Sequence, residues 1–209
     1  MNISHQITSQ LLDSLFSDEE AGLLIGFSQL LQADHPSLEE IWQYDQSLGG
    51  LGGYAMPSNP VHNPFNTWGQ ERNLFRSVQY AKSGFVYYPH MPRNMIIDAG
   101  RSLEFTCKYI LDKYSIISRF RNSDMLGRNL SHMYRKGLLS DETLEDCRLL
   151  GSLYNIAKHE MTEERNRTFS TLDGVVAYFS LRKLHNRLLK SIDHPRAREV
   201  HGIYRDDKR

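Results

Sequence analysis

Arg148, Ser152, Asn155 and His159 recur at spacings of four, three and four residues, which on an α-helix places them along one stripe. Imidazole is the side chain whose ordinary pKa best suits proton transfer near neutrality. An amide one turn away from it can orient a phosphate or a ribose hydroxyl. Cleavage of RNA asks for little more, because the substrate brings its own 2′-hydroxyl nucleophile. A base, a cation for the developing charge and a shaped groove suffice without a metal. Lys158 and Glu160 flank the histidine, and Glu163, Glu164, Arg165 and Arg167 follow it. Without such chemistry the same stripe is the solvated side of a surface helix.

Other chemistries find less support. The nine histidines, among them His62, His90, His132 and His159, are scattered without two on one helix face, so neither a metal nor another cofactor is expected. The run Gly49-Gly50-Leu51-Gly52-Gly53 lacks the Lys-Ser or Lys-Thr of a phosphate-cradling loop. Arg128-Asn129-Leu130-Ser131-His132 offers an arginine and a histidine with three residues between them. They form a secondary candidate on the preceding helix, read as a solvated or packing pair. Asn129-Leu130-Ser131 and Asn166-Arg167-Thr168 fit the glycosylation triplet but mean nothing without a secretory signal.

The stripe needs a helix to carry it and a core to hold that helix. Ser140 or Asp141 caps a helix whose apolar stripe is Leu144, Cys147, Leu150, Tyr154, Ala157 and Met161. Before it, Pro92 opens a helix with Met95, Ile96, Ala99, Leu103, Cys107, Ile110, Leu111 and Tyr114 in phase. A second helix covers about 118 to 136 and closes at Lys136-Gly137. The last runs from about Thr171 to Ile192 with Leu172, Val175, Val176, Phe179, Leu184 and Leu188 inward. Four helices with short links predict an antiparallel up-and-down bundle over 89–193.

The N-terminal part, 1–88, reads as a helical extension. Ser17-Asp18-Glu19-Glu20 is a capping box before Leu23, Leu24, Phe27, Leu30 and Leu31, and Ser37-Leu38-Glu39-Glu40 repeats it before Ile41, Trp42 and Tyr44. From Ser47 to Gly69, glycine and Pro57, Pro60 and Pro64 predict a long loop. Its Tyr54, Phe65 and Trp68 suit either a docking segment or a loop pinned to its own core. A short helix over 70–82 and an extended Phe85-Val86-Tyr87-Tyr88 complete this part, and 194–209 reads as a basic tail.

Composition sets the class. Among 209 residues, Lys plus Arg and Asp plus Glu both number 25, so no strong overall field attracts nucleic acid and any RNA contact is local. The charge is uneven along the chain. Acids dominate 13–45, whereas 182–209 carries Arg182, Lys183, Arg187, Lys190 and further bases. That asymmetry suits either a polyanion or the protein's own acidic end. Cys107 and Cys147 lie among apolar residues and predict buried thiols in a reducing compartment. No apolar run is long enough to span a bilayer and Met1-Asn2-Ile3-Ser4-His5 is not a signal peptide, so no membrane association and a cytoplasmic location are expected.

Residues from about 92 to 192 resemble the HEPN family (higher eukaryotes and prokaryotes nucleotide-binding) of small helical bundles. The resemblance rests on Ala99-Gly100-Arg101-Ser102-Leu103-Glu104, on Lys136-Gly137-Leu138-Leu139-Ser140, and on Leu153-Tyr154-Asn155-Ile156-Ala157-Lys158-His159. Many such proteins are metal-independent ribonucleases of toxin-antitoxin, phage-defence and CRISPR systems, and others are inactive adaptors. Active members carry an arginine, often followed by a polar residue, and a histidine four to six residues beyond. They commonly pair two such helices across a dimer. Here Asn155 and His159 match, and Tyr154 stands at the arginine position. The resemblance implies a homodimeric ribonuclease with His159 in acid-base chemistry and Asn155 positioning RNA; with Tyr154 at the arginine position, the candidate cations are Lys158 beside the histidine and Arg148 reaching across an antiparallel dimer. The other expectation is a non-catalytic subunit of a larger assembly, docking a protein partner through the 47–69 loop or the acidic N-terminal helices.

Overall fold

The computed structural model describes residues 3–33, 37, 40, 91–113, 125–159 and 169–192. All the regular structure among them is helical: α1 (Ile3–Leu15), α2 (Asp18–Gln32), α3 (Pro92–Lys113), α4 (Leu126–Arg135), α5 (Asp141–His159) and α6 (Thr171–Ser191). None of these helices is long and apolar enough to cross a membrane. The 47–69 loop, the boundary near 88, the helix over 70–82 and the 194–209 tail lie outside the described residues.

Local chemistry sets several boundaries. The Ser17 hydroxyl accepts from the Glu20 amide while the Glu20 carboxylate accepts from the Ser17 amide, closing the expected capping box. Ser37 and Glu40 make the same reciprocal pair, and those bonds from Ser37 hold the Glu40 carboxyl below its usual range. Ser140 accepts from the Thr143 amide and so is the cap of α5. At the end of α4 the Leu138 amide reaches the Met133 carbonyl and the Gly137 amide reaches Tyr134, with Gly137 at φ 71°. That left-handed position is the one glycine occupies without steric cost, as the Lys136-Gly137 stop anticipates.

One boundary, one element and one residue differ from expectation. Met125 is extended, with φ −110° and ψ 110°, so α4 begins at Leu126, and the earlier part of the helix expected from about 118 lies outside the described residues. Helix α1 has no cap signature in sequence, yet its Ile7, Leu11 and Leu15 face the core at a regular spacing of four. Leu23, assigned to the apolar stripe of α2, is 41% exposed, while Leu24, Phe27 and Leu31 are fully buried.

The core is one cluster drawing on every helix. Contact pairs give the directions. Phe27 meets Phe179 edge-on at 5.9 Å and Glu20 meets Lys183, so α2 runs against α6. Asp146 meets Arg187, Tyr154 lies under Gly100, and Tyr134 bonds Asp141, so α5 runs against α6, α3 and α4 in turn. Helices α3 and α6 therefore run the same way and meet at Gly174, where an added Cβ would come within 2.7 Å of the Met95 methyl and 3.1 Å of Pro92 Cα. This order departs from strict up-and-down alternation of four consecutive helices.

Helix α6 is the axis of the molecule. Its expected apolar residues are buried, with Leu172 only partly so, but Asp173, Ser180, Arg182, Lys183, His185 and Asn186 are buried as well. One stripe, Asp173, Val176, Ser180, Lys183 and Arg187, faces α1, α2 and α5. Thr8 donates to Asp173 at 2.5 Å, with His5 Nδ1 3.4 Å from the same oxygen. Lys183 bonds both Glu20 oxygens at 3.1 and 2.9 Å and lies 4.9 Å over the Phe16 ring. Ser14 and Arg187 share Asp146, at 2.5 and 2.6 Å. A lysine of the basic C-terminal segment thus pairs with a glutamate of the acidic N-terminal one.

Candidate functional site

The polar stripe forms as the spacing requires. Arg148, Ser152, Asn155, Lys158 and His159 are all exposed on α5, opposite the buried Leu150, Leu153, Tyr154 and Ala157. Burial of that second arc fixes the rotation of α5 and so aims the stripe at solvent. Asp141 and Glu142 lie in the first turn, and Lys158 and His159 in the last, signs that suit the helix dipole. Arg148 sits 3.8 Å from Glu145 one turn back, a solvent-exposed pair of small energy.

Tyr154 has a different role from its neighbours. It is 3% exposed, and its ring lies directly on Gly100, where an added Cβ would fall 2.1 Å from Tyr154 Cγ. The crossing of α3 and α5 is built on this contact, and glycine supplies the space. A residue at 154 points into the core, so a cation there would not share the exposed stripe. The Lys158 ammonium stands 5.5 Å from the centroid of the Tyr154 ring, and the Arg93 Nε of α3 donates to the Ala157 carbonyl at 2.8 Å. Arg93 thereby satisfies one of the carbonyls that the end of α5 leaves open.

The remaining candidates are dispersed. Glu104 pairs with Lys108 at 2.8 Å on α3, away from the stripe. Arg128 is exposed on α4, whereas His132 is half-buried on the same helix. Met161, Glu163, Glu164, Arg165 and Arg167 lie outside the described residues. Among the described residues no group of His, Cys, Asp and Glu has the arrangement to hold a metal.

Sequence reading passed over the seam beside the stripe. Tyr134 of α4, 42% exposed, donates its hydroxyl to Asp141 of α5 at 2.6 Å, and Arg148 lies close enough to act on it electrostatically. The bond to Asp141 raises the phenol above its ordinary range, because losing the proton would set two anions together. The α4–α5 pair therefore presents Arg128, Tyr134, Arg135, Lys136, Arg148, Ser152, Asn155, Lys158 and His159 as exposed groups. The signal for Tyr134 was its place in the last turn of an amphipathic helix just before the glycine stop.

Cys107 and Cys147 are free and fully buried. Desolvation, with the Glu104 charge beside it, pushes the Cys107 thiol up to about 12; desolvation, with Cys107 and Asp146 nearby, pushes the Cys147 thiol well above its ordinary value. They pack the α3–α5 interface and present no nucleophile.

No family model, curated protein or solved structure matches this chain.

Proposed function

We propose that the protein is a HEPN-like, metal-independent endoribonuclease that works as a homodimer through the helical bundle, in a toxin-antitoxin or phage-defence setting. The observation that carries this reading is the exposed stripe of α5, which keeps Asn155 and His159 one turn apart on a single solvent face. In this scheme His159 takes the proton of the 2′-hydroxyl as that oxygen bonds to phosphorus. The bond from phosphorus to the 5′-oxygen breaks, and the second copy's imidazolium returns a proton to the leaving oxygen, giving a cyclic phosphate and a 5′-hydroxyl. Asn155 orients the phosphate, and Lys158 contributes charge at the same helix end.

The cation for the transition state comes from Arg148. It lies about 16 Å from His159 along the axis, at roughly 1.5 Å for each of eleven residues, too far to act within one chain. An isologous dimer with α5 against its antiparallel copy brings Arg148 of one protomer to His159 of its partner.

A second reading, a non-catalytic HEPN-like subunit of a larger assembly, is favoured by the burial of Tyr154 against Gly100, since the arginine position is then a packing position. The test is incubation of the purified protein with total RNA in EDTA, beside His159→Ala. Cleavage by the parent alone supports the nuclease. Cleavage unchanged by His159→Ala removes His159 from the scheme, and no cleavage by either supports the adaptor.

A further inference from the structure

Among the described residues, several cations of α3 and α6 are paired, while Lys190 is exposed in the last turn of α6. Lys108 and Arg101 of α3 pair with Glu104 and Asp98, and Lys183 and Arg187 of α6 pair with Glu20 and with Asp146 and Glu142. Arg93 is taken up by the Ala157 carbonyl. On the α4–α5 face, Arg128, Arg135, Lys136 and Lys158 are exposed and have no carboxylate partner among the described residues. The Arg135 Nε bond goes to the Ser131 carbonyl of its own helix, and Lys158 lies over a ring. Asp141, Glu142 and Glu145 are exposed on the same helices; Arg148 lies 3.8 Å from Glu145, and the Tyr134 hydroxyl bonds Asp141 without cancelling its charge. Among the described residues these two helices present Arg128, Arg135, Lys136, Arg148 and Lys158 against Asp141, Glu142 and Glu145, a local positive excess of the kind that attracts a polyanion.

That face also carries an exposed aromatic ring. The hydroxyl bond to Asp141 holds Tyr134 at the α4–α5 seam while 42% of the residue stays open to solvent. Arg128 and Arg135 are seven residues apart and so lie two turns along one side of α4, about 10 Å. Exposed cations, a fixed exposed ring on the same helix and a second polar helix beside it form the combination that binds single strands: phosphates meet the charges and an unstacked base meets the ring.

We propose that the α4–α5 face is a docking surface for single-stranded RNA, with Arg128, Arg135, Lys136 and Lys158 meeting the backbone and Tyr134 stacking on a base. The inference deepens and rests on the reading of α5 as an RNA-facing helix, with the strand lying along α5 from the Asp141 end, where Tyr134 sits, to the His159 end.

The test uses the full chain carrying His159→Ala, in EDTA, with a fluorescein-labelled single-stranded RNA of mixed sequence read by anisotropy over a salt series. Combined Arg128→Gln, Arg135→Gln and Lys136→Gln weakens binding about tenfold or more and flattens the salt dependence. Tyr134→Leu weakens it several-fold, whereas Tyr134→Phe keeps most of it because the ring remains. Arg101→Gln, a paired cation on α3, leaves binding unchanged. Absence of binding at about 50 mM salt, or parent affinity in the triple variant, overturns the proposal. So does polyglutamate binding as tightly as RNA, which marks an acidic-protein surface. Binding by a parent that does not cleave RNA keeps this inference and removes the catalytic one. Cleavage that survives the triple substitution at the parent rate does the reverse.

Discussion

The Tyr154 ring lying on Gly100 decides what position 154 can be. Restoring the arginine that the resemblance calls for would force a guanidinium into a site now 3% exposed. Tyr154→Arg is therefore expected to lose about 3 kcal/mol or more of stability in urea melts and to gain no RNA cleavage. A stable variant that cleaves RNA faster than the parent would show that 154 belongs to the solvent face. The two cysteines give a second residue-level expectation. Native protein at pH 8 should react with a thiol reagent only as fast as it opens, and both thiols should titrate at once in denaturant. The sign of the pH effect follows from the Cys107 thiol being pushed up to about 12, above the ordinary range of a free thiol. Unfolded thiols give up protons that folded ones keep, so this contribution lowers stability as pH rises from about 9 towards 12 and is flat below that window.

At the scale of elements, what was legible was what local rules govern. The box at Ser17, the cap at Ser140, the glycine stop after α4 and the two opposed arcs of α5 follow from hydrogen-bonding capacity and from a period of 3.6 residues. Helix α1 was missed because nothing caps it in sequence, although Ile7, Leu11 and Leu15 keep its phase. The inner polar stripe of α6 was missed because charged residues usually mark a solvated face. One signal was available: Asp146, Leu150, Leu153 and Ala157 are spaced four, three and four, which places a carboxylate on the apolar arc of α5. The capping box at Ser170 separates local from tertiary contributions. Ser170 accepts from the Asp173 amide and donates its own amide to the Asp173 carboxylate. Ser170→Ala should cost about 1 kcal/mol, as for a surface cap. Asp173→Ala should cost distinctly more, because the same fully buried carboxylate accepts from Thr8 of α1. Equal losses in thermal melts would mean that α1 gains nothing from Asp173.

For the whole molecule, the question is what joins the N-terminal helices to the rest. Apolar contact alone would let α1 and α2 slide on α6, since burial has no direction. The polar pins at Asp173, Lys183 and Arg187 fix their register, because a shift of one turn would leave buried charges without partners. The Ser14, Asp146 and Arg187 cluster is the strongest test. The Asp146 and Arg187 side chains are 2% and 8% exposed, and Ser14 brings the end of α1 to the same carboxylate. Arg187→Met leaves Asp146 buried without its counter-charge and should cost about 3–5 kcal/mol. Adding Asp146→Asn to Arg187→Met removes the stranded charge, so the double variant should recover much of that loss. Denaturant unfolding of the parent, both single variants and the double variant gives the coupling directly. Additive losses would show that the pair acts only as packing, and the register of α1 would then rest on its apolar face and the remaining pins.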